Sequence, residues 1–149
     1  PEELAKFIML WLLLRKNPFF DEHFDGIVYA VCVGMGFAAL ENVLYLFLNY
    51  DSWISVGIVR ALFAVPGHFL FAVIMGYYYS LWHFRIKRDR GTIIMILLAP
   101  ILAHGTYDGI LFSMNIDESL SVIILMFFLI FFNKLKNVGK KHIMELINH

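Results

Sequence analysis

His104 and Asp108 lie four residues apart in the apolar stretch ILAHGTYDGILF, residues 101–112. Four residues make about one helical turn, so the imidazole and the carboxylate would project from one face of a helix. A histidine beside a carboxylate can serve as an acid, a base or a hydrogen-bond donor. An ionisable pair in so apolar a segment favours a functional site, although a His–Asp hydrogen bond at this spacing can also be purely structural.

The composition of the chain indicates a membrane protein. Its 149 residues are 60% hydrophobic and 16% charged, whereas soluble domains average about 45–50% apolar and about 25% charged residues. The formal net charge is zero, so the basic surface typical of a nucleic-acid-binding protein is not expected. The lipid bilayer is the expected environment, and the expected fold is an all-α polytopic transmembrane helix bundle.

Five apolar segments are predicted to form the helices of this bundle: residues 4–14, 26–49, 53–84, 92–114 and 120–132. A helical span needs about 20 residues. The second, third and fourth segments reach that length, and the first is expected to be truncated. We divide the chain into a transmembrane core, residues 1–133, and a basic tail, residues 134–149.

Charged residues at the ends of the segments predict the orientation. Basic residues follow the first, third and fifth segments: Arg15, Lys16, Arg85, Lys87, Arg88, Arg90, Lys134, Lys136, Lys140 and Lys141. Acidic residues lie at the opposite ends: Asp51, Asp117 and Glu118. Under the positive-inside rule the basic clusters face the cytoplasm. The chain is therefore expected to cross a bacterial cell membrane several times, with a cytoplasmic C-terminal tail.

Further ionisable side chains are expected at membrane depth, inside the predicted segments or just before the first one: Glu2, Glu3, Lys6, Glu41, Arg60 and His68. Each would cost several kcal/mol if it faced lipid, so each is expected to face the bundle interior and find a partner. A rise of about 1.5 Å per residue places an acid or an imidazole from each of four helices within about 7 Å of one level. These residues are Glu3, Glu41, His68 and His104. One buried site is therefore predicted.

This group of side chains is suited to hydrolysis. The chain has no serine or cysteine at that depth, so we expect a glutamate (Glu2, Glu3 or Glu41) to activate water as a general base. An imidazole would stabilise the oxyanion, and Asp108 would orient His104. Lys6 could instead simply neutralise a neighbouring glutamate one helical turn away.

No metal is expected in this scheme, and zinc is the alternative. Two imidazoles and two carboxylates form a plausible zinc set, although the sequence lacks H-E-x-x-H. The ligands would then be Glu3, Glu41, His68 and His104. Two functions without hydrolysis also stay open, an ion-coupled transporter and a non-catalytic membrane binding or immunity protein. The lack of an inverted repeat disfavours the transporter.

Four motifs occur in order along the chain. They are E-E-x-x-K at residues 2–6, FDEHFDGIVYAVCVGMGFAALENVLYL at 20–46, RALFAVPGHFLFAVIMGYY at 60–78 and LAHGTYDGILF at 102–112. Together they resemble the PrsW family of bacterial intramembrane proteases, which is distantly similar to the type II CAAX prenyl endopeptidases and the Abi family. Because that family carries further spans before its paired glutamates, the chain is expected to be a core fragment.

The resemblance implies an intramembrane endopeptidase that cuts a single-span membrane protein, an anti-sigma factor, in the response to envelope stress. It assigns the catalytic positions of the family to Glu2, Glu3, Glu41, His68, His104 and Asp108, and supporting positions to Lys6, Asn42 and Arg60. In the CAAX relatives a glutamate activates water, and histidine and asparagine groups stabilise the oxyanion. The resemblance and the residues thus lead to the same scheme.

Overall fold

The computed structural model describes residues 1–114 and 121–148. The helices are α1 (Glu2–Leu14), α2 (Asp25–Leu48), α3 (Trp53–Val59), α4 (Val65–His83), α5 (Arg90–Met114) and α6 (Ser121–Ile147). A 3-10 turn, Tyr50–Ser52, precedes α3, and a π-helical turn, Arg60–Ala64, joins α3 to α4. No strand occurs among the described residues, so the predicted all-α class is confirmed. The predicted outer acidic pair, Asp117 and Glu118, lies outside the described residues.

Four helical stretches are long and apolar enough to cross a membrane: Asp25–Leu48, Tyr50–His83, Arg90–Ser113 and Val122–Ile147. They correspond to the second to fifth predicted segments. Helix α1, with 13 residues, is shorter than the roughly 20 residues that a span requires. Many large apolar side chains on these helices are exposed on the surface, as expected where the surrounding solvent is lipid. The polytopic transmembrane bundle is therefore confirmed.

Helix α4 lies at the centre of the bundle and packs against α2, α5 and α6. The contact between α2 and α4 is close because Gly34 has no side chain: a Cβ atom there would lie 2.7 Å from the Cβ of Ala72. Gly36, two residues further along, has nothing within 4 Å of the position of such an atom. Of these two glycines, Gly34 is therefore the one that allows α2 to approach α4 closely.

Pro66 accounts for the π-helical turn before α4. Proline has no N–H, and in a regular α-helix its ring would clash with the carbonyl group of Leu62, four residues earlier. Instead, the N–H of Val65 donates to the carbonyl oxygen of Arg60, five residues back, and the turn widens. The helical path before α4 is thus widened from Arg60 to Ala64.

Helix α6 runs from Ser121 to Ile147, so the predicted boundary after residue 133 falls within a helix. Phe128, Leu135 and His142 follow one another at seven-residue intervals, a spacing that keeps one helix face against a neighbour. The first two are buried, and the ring of His142 stacks on Tyr77 of α4, with the centroids 3.8 Å apart. The basic segment therefore continues the packing of the bundle, and its cytoplasmic location stays a prediction.

The loop between α1 and α2 meets the end of α4. The ring centroid of Phe20 lies 5.0 Å from that of Phe84. Arg15 precedes Phe20 by five residues and Arg85 follows Phe84 directly. The two basic residues therefore belong to the same end of the bundle. This shared end is what the predicted orientation requires.

Candidate active site

Helix α1 brings two acids and one base to the site. Glu3 and Lys6 are 3% and 2% exposed, and Lys6 Nζ donates to Glu3 Oε1 at 2.6 Å. A spacing of three residues places them on the same helix face. Glu2 is more exposed, and its Oε2 atom lies 3.9 Å from Lys6 Nζ. The buried carboxylate and the buried ammonium thus form an ion pair within one helix.

His104 of α5 is hydrogen-bonded to Glu3. The Nδ1 atom of His104 lies 2.8 Å from Glu3 Oε1, and because a carboxylate accepts, Nδ1–H is the donor. Asp108 Oδ2 lies 3.4 Å from the other ring nitrogen, Nε2, and its side chain is 65% exposed. Glu3 therefore keeps a proton on Nδ1 and orients the ring, a role that was predicted for Asp108. Asp108 remains beside Nε2 as a negative charge.

His68 of α4 has a partner at each ring nitrogen. Its Nδ1 atom lies 2.9 Å from Lys6 Nζ, and its Nε2 atom lies 2.8 Å from Glu41 Oε2. A lysine ammonium can only donate, so Nδ1 accepts and the ring proton is on Nε2, which donates to Glu41. His68 thus connects the acid of α2 to the base of α1.

Arg60 holds the other side of Glu41. Its Nη2 atom donates to Glu41 Oε2 at 2.6 Å, and its Nε atom donates to Asn42 Oδ1 at 2.7 Å. The guanidinium also lies 3.9 Å from the ring centroid of Tyr45, a cation–π distance. Arg60 belongs to the π-helical turn, so the widened turn sets the position from which it reaches α2.

The structure brings all nine predicted site residues into one connected group. Polar contacts lead in sequence through Arg60, Glu41, His68, Lys6, Glu3 and His104. A cavity of about 440 Å³ opens beside this group, and its acidic, basic and imidazole lining residues are Glu2, Glu41, Arg60, His68, His104 and Asp108. Since one water occupies about 30 Å³ in the liquid, the cavity has room for water and for part of a peptide.

Sequence reasoning missed the aromatic side chains around the site. Lys6 Nζ lies 4.7 Å from the ring centroid of Phe37. Phe71 stacks on His104 with ring centroids 4.7 Å apart and an interplanar angle of 20°. Tyr107 lines the cavity. A signal was available, because each of these aromatic residues lies about one helical turn from a predicted polar residue of its own helix, and such residues share a face.

Four side chains offer metal-ligand atoms that all lie within 4.8 Å of one another: Glu2, Glu3, His68 and His104. Three belong to the zinc set expected from the sequence, and Glu2 takes the place of Glu41. Two carboxylate oxygens, Glu2 Oε2 and Glu3 Oε2, are buried and have no hydrogen-bond partner within the part of the chain that the structure describes. Two imidazoles and two carboxylates with open oxygens are suitable zinc ligands. These residues therefore fit a zinc ion.

Residues 1–133 match the family described as PrsW family intramembrane metalloprotease. The chain belongs to the PrsW family. The match includes α1 to α5 and the first part of α6, so it contains every residue of the site. The predicted resemblance is confirmed, and with the four long apolar helices it identifies a multi-pass membrane protein.

Curated PrsW relatives extend beyond this chain. It is 36% identical over 151 residues to Protease PrsW of Clostridioides difficile, covering 99% of this chain and 61% of that protein. It is 40% identical over 115 residues to Protease PrsW of Bacillus subtilis, covering 76% of this chain and 51% of that protein. For Protease PrsW of Geobacillus kaustophilus the identity is 40% over 112 residues, with 75% and 48% covered. The chain thus spans about half of the length of the curated PrsW relatives it matches. No solved structure matches it significantly.

Proposed function

We propose that this chain is the catalytic core of an intramembrane endopeptidase. Its substrate is a single-span, membrane-anchored protein, for which an anti-sigma factor is the expected example. The observation that supports this proposal is the convergence of Glu2, Glu3 and His104 beside a cavity within a bundle of apolar helices. Acids and an imidazole at one cavity are the groups that peptide hydrolysis requires.

Glu2 is the carboxylate best placed to accept a proton from water. Glu3 Oε1 already accepts hydrogen bonds from two cationic or imidazole donors, and so does Glu41 Oε2. Glu2 lines the cavity, its side chain is 36% exposed, and its carboxylate makes only long ionic contacts, at 3.9 Å to Lys6 Nζ and 3.8 Å to His104 Nε2. A general base needs a free oxygen within reach of the water that it activates.

The proposed reaction follows from these positions. The water oxygen bonds to the carbonyl carbon while Glu2 takes the water proton. When His104 carries a proton on Nε2 as well as on Nδ1, it donates from Nε2 to the carbonyl oxygen as this atom becomes negative. The C–N bond then breaks, and the proton passes from Glu2 to the leaving amine. A preorganised donor to the oxyanion contributes about 10²–10³-fold to the rate.

This scheme needs no metal, and zinc is its alternative. Glu2, Glu3, His68 and His104 would hold the ion, which when bound supplies a Lewis acid and makes a bound water more acidic. Elemental analysis of the purified protein, combined with cleavage assays before and after chelation, distinguishes the two schemes. A stoichiometric metal whose removal stops cleavage would contradict the metal-free scheme.

The proposed function can be tested by substitutions in the full-length protein, co-expressed with an epitope-tagged anti-sigma factor whose cleavage is measured. We expect Glu2→Gln, Glu3→Gln and His104→Ala each to reduce cleavage by at least about 10²-fold, with unchanged amounts of inserted protein. Glu22→Gln, in the exposed loop before α2, is the matched control. Full cleavage by Glu2→Gln would reject Glu2 as the base, and full cleavage by all three variants would reject the site.

We also propose that the end of the bundle bearing Arg15 and Arg85 faces the cytoplasm, together with the end of α6. The support is the positive-inside rule applied to basic residues at a shared end. A C-terminal alkaline phosphatase fusion is then expected to be inactive and a β-galactosidase fusion active. The reverse result would contradict this orientation.

A further inference from the structure

The ammonium group of Lys6 occupies the position between the potential metal ligands. Lys6 Nζ lies 2.6 Å from Glu3 Oε1 and 2.9 Å from His68 Nδ1. It also lies 3.9 Å from Glu2 Oε2. Three of the four side chains that offer ligand atoms to a metal therefore already surround a cation that belongs to the chain. This ammonium is buried, with Lys6 only 2% exposed.

A divalent ion cannot use His68 while Lys6 stays in this position. A metal binds the lone pair of a ring nitrogen, and the lone pair on Nδ1 of His68 accepts a hydrogen from Lys6 Nζ. The other nitrogen, Nε2, carries the ring proton and donates it to Glu41. Two cations a few ångströms apart in a poorly solvated site also repel strongly. The lysine and a metal ion therefore exclude each other.

The bundle has space for a displaced Lys6 side chain. A second cavity, of about 500 Å³, lies between α1 and α2 and opens to the surface of the bundle; apart from Lys6 its lining is apolar and includes Met9, Leu13, Phe37 and Leu40. The ring of Phe37 is already 4.7 Å from Lys6 Nζ. A lysine that moves into this cavity would thus keep a cation–π contact while it leaves Glu3 and His68.

We propose that Lys6 is a tethered counter-cation that competes with a divalent metal ion for Glu3 and His68. In the metal-free protein it neutralises the buried acid, and metal binding moves its side chain into the cavity between α1 and α2. Lys6 thereby weakens metal binding and makes metal loading reversible. This proposal rests on the site of the proposed function, but it concerns which cation occupies that site and not hydrolysis.

The test measures zinc binding to the full-length protein in detergent, by competition with a chromophoric chelator. Lys6→Met keeps a similar length and removes the charge, so we expect the dissociation constant for zinc to fall about tenfold or more. Lys6→Arg keeps the charge and is expected to bind zinc no more tightly than the wild type. Lys16→Met, an exposed lysine near the end of α1, is the matched control. Equal or weaker zinc binding by folded Lys6→Met, or no binding by either protein, would overturn the proposal.

A second measurement uses the wild type and so does not depend on how the variant folds. A small amine-reactive reagent labels lysines with and without saturating zinc, and mass spectrometry quantifies each site. We expect zinc to raise the labelling of Lys6 severalfold while Lys16 stays unchanged. Unchanged labelling of Lys6 at saturating zinc rejects the displacement. Neither measurement needs a substrate, so the outcome is separate from that of the cleavage assay with Glu2→Gln.

Discussion

The Nη2 atom of Arg60 lies 2.6 Å from Glu41 Oε2, and this contact joins the π-helical turn before α4 to the second half of α2. Both side chains are largely buried, at 14% and 18% exposure. The same guanidinium also donates from Nε to Asn42. One rigid, planar group thus satisfies two acceptors on the neighbouring helix, which the single ammonium of a lysine cannot reproduce.

We therefore expect Arg60→Lys to lower the free energy of unfolding by about 1.5–3 kcal/mol, the contribution of a hydrogen bond to a charged group. Cleavage should fall as well, because Glu41 loses part of what holds it against His68. Unfolding in detergent and substrate cleavage measure the two effects. Arg88→Lys, at an exposed arginine, is the control, and an equally small effect of both variants would contradict the prediction.

Pro66→Ala tests whether the π-helical turn places Arg60 against Glu41. Alanine restores the N–H and removes the clash that widens the turn, so a regular helix can form through Arg60–Ala64. A regular α-turn contains about one residue fewer than a π-turn. The change would therefore rotate the preceding segment by about 100° about the helix axis, which takes Arg60 away from Glu41. We expect reduced cleavage and, because the contact between Arg60 and Glu41 is lost, a thermal stability no higher than that of the wild type. Pro18→Ala, in the exposed loop after α1, controls for loss of a proline, and unchanged cleavage by Pro66→Ala would contradict this role of the turn.

Two glycines of α2 form a matched pair for testing the contact with α4. A Cβ atom at Gly34 would lie 2.7 Å from Ala72 Cβ, whereas Gly36 has open space. Gly34→Val should lower the free energy of unfolding by about 1–3 kcal/mol through overpacking. Gly36→Val makes the same change in the same helix and should have little effect. Similar unfolding curves for the two variants would be inconsistent with the close contact.

Asp89 makes the start of α5 sensitive to acid. Its Oδ1 atom accepts a hydrogen bond from the backbone N–H of Thr92 at 2.7 Å. This bond lowers the pKa of the Asp89 carboxyl below its ordinary value. Because the folded pKa is the lower one, the stabilisation is present above the ordinary pKa and is lost as the pH falls through the folded pKa.

We expect wild-type stability to decline below about pH 4 more steeply than that of Asp89→Asn, whose side chain still accepts a hydrogen bond but does not titrate. Unfolding curves at several values between about pH 3 and 6 measure the difference. Identical pH profiles of the two proteins would show that the hydrogen bond between Asp89 and Thr92 does not contribute to stability.

The spans and the level of the site were predictable from the sequence. Length and apolar composition identify a membrane helix, and a constant rise per residue gives the depth of each polar group. These two rules account for α2, α5 and the common level of Glu3, Glu41, His68 and His104. They depend on the helix alone, so they hold without knowledge of its neighbours.

The pairing within the site was not predictable. Depth does not give the rotation of a helix about its axis, and rotation decides which oxygen meets which ring nitrogen. Glu2 instead of Glu41 in the potential metal set, and Glu3 instead of Asp108 on His104 Nδ1, are both consequences of rotation. The π-helical turn also changes the direction in which Arg60 projects from the helix, by about the 100° that one residue contributes. The pairing of atoms within the site is therefore decided by how the helices pack against one another.

The hydrogen bond between Glu3 and His104 joins residues 101 positions apart. During synthesis α1 is made before α5. Glu3 is paired from the start with Lys6, three residues away in the same helix. His68 arrives next, and His104 arrives only with α5. The group of side chains is therefore complete only after translation has passed the fifth helix. A nascent chain that has not yet made α5 lacks the imidazole that the proposed reaction uses.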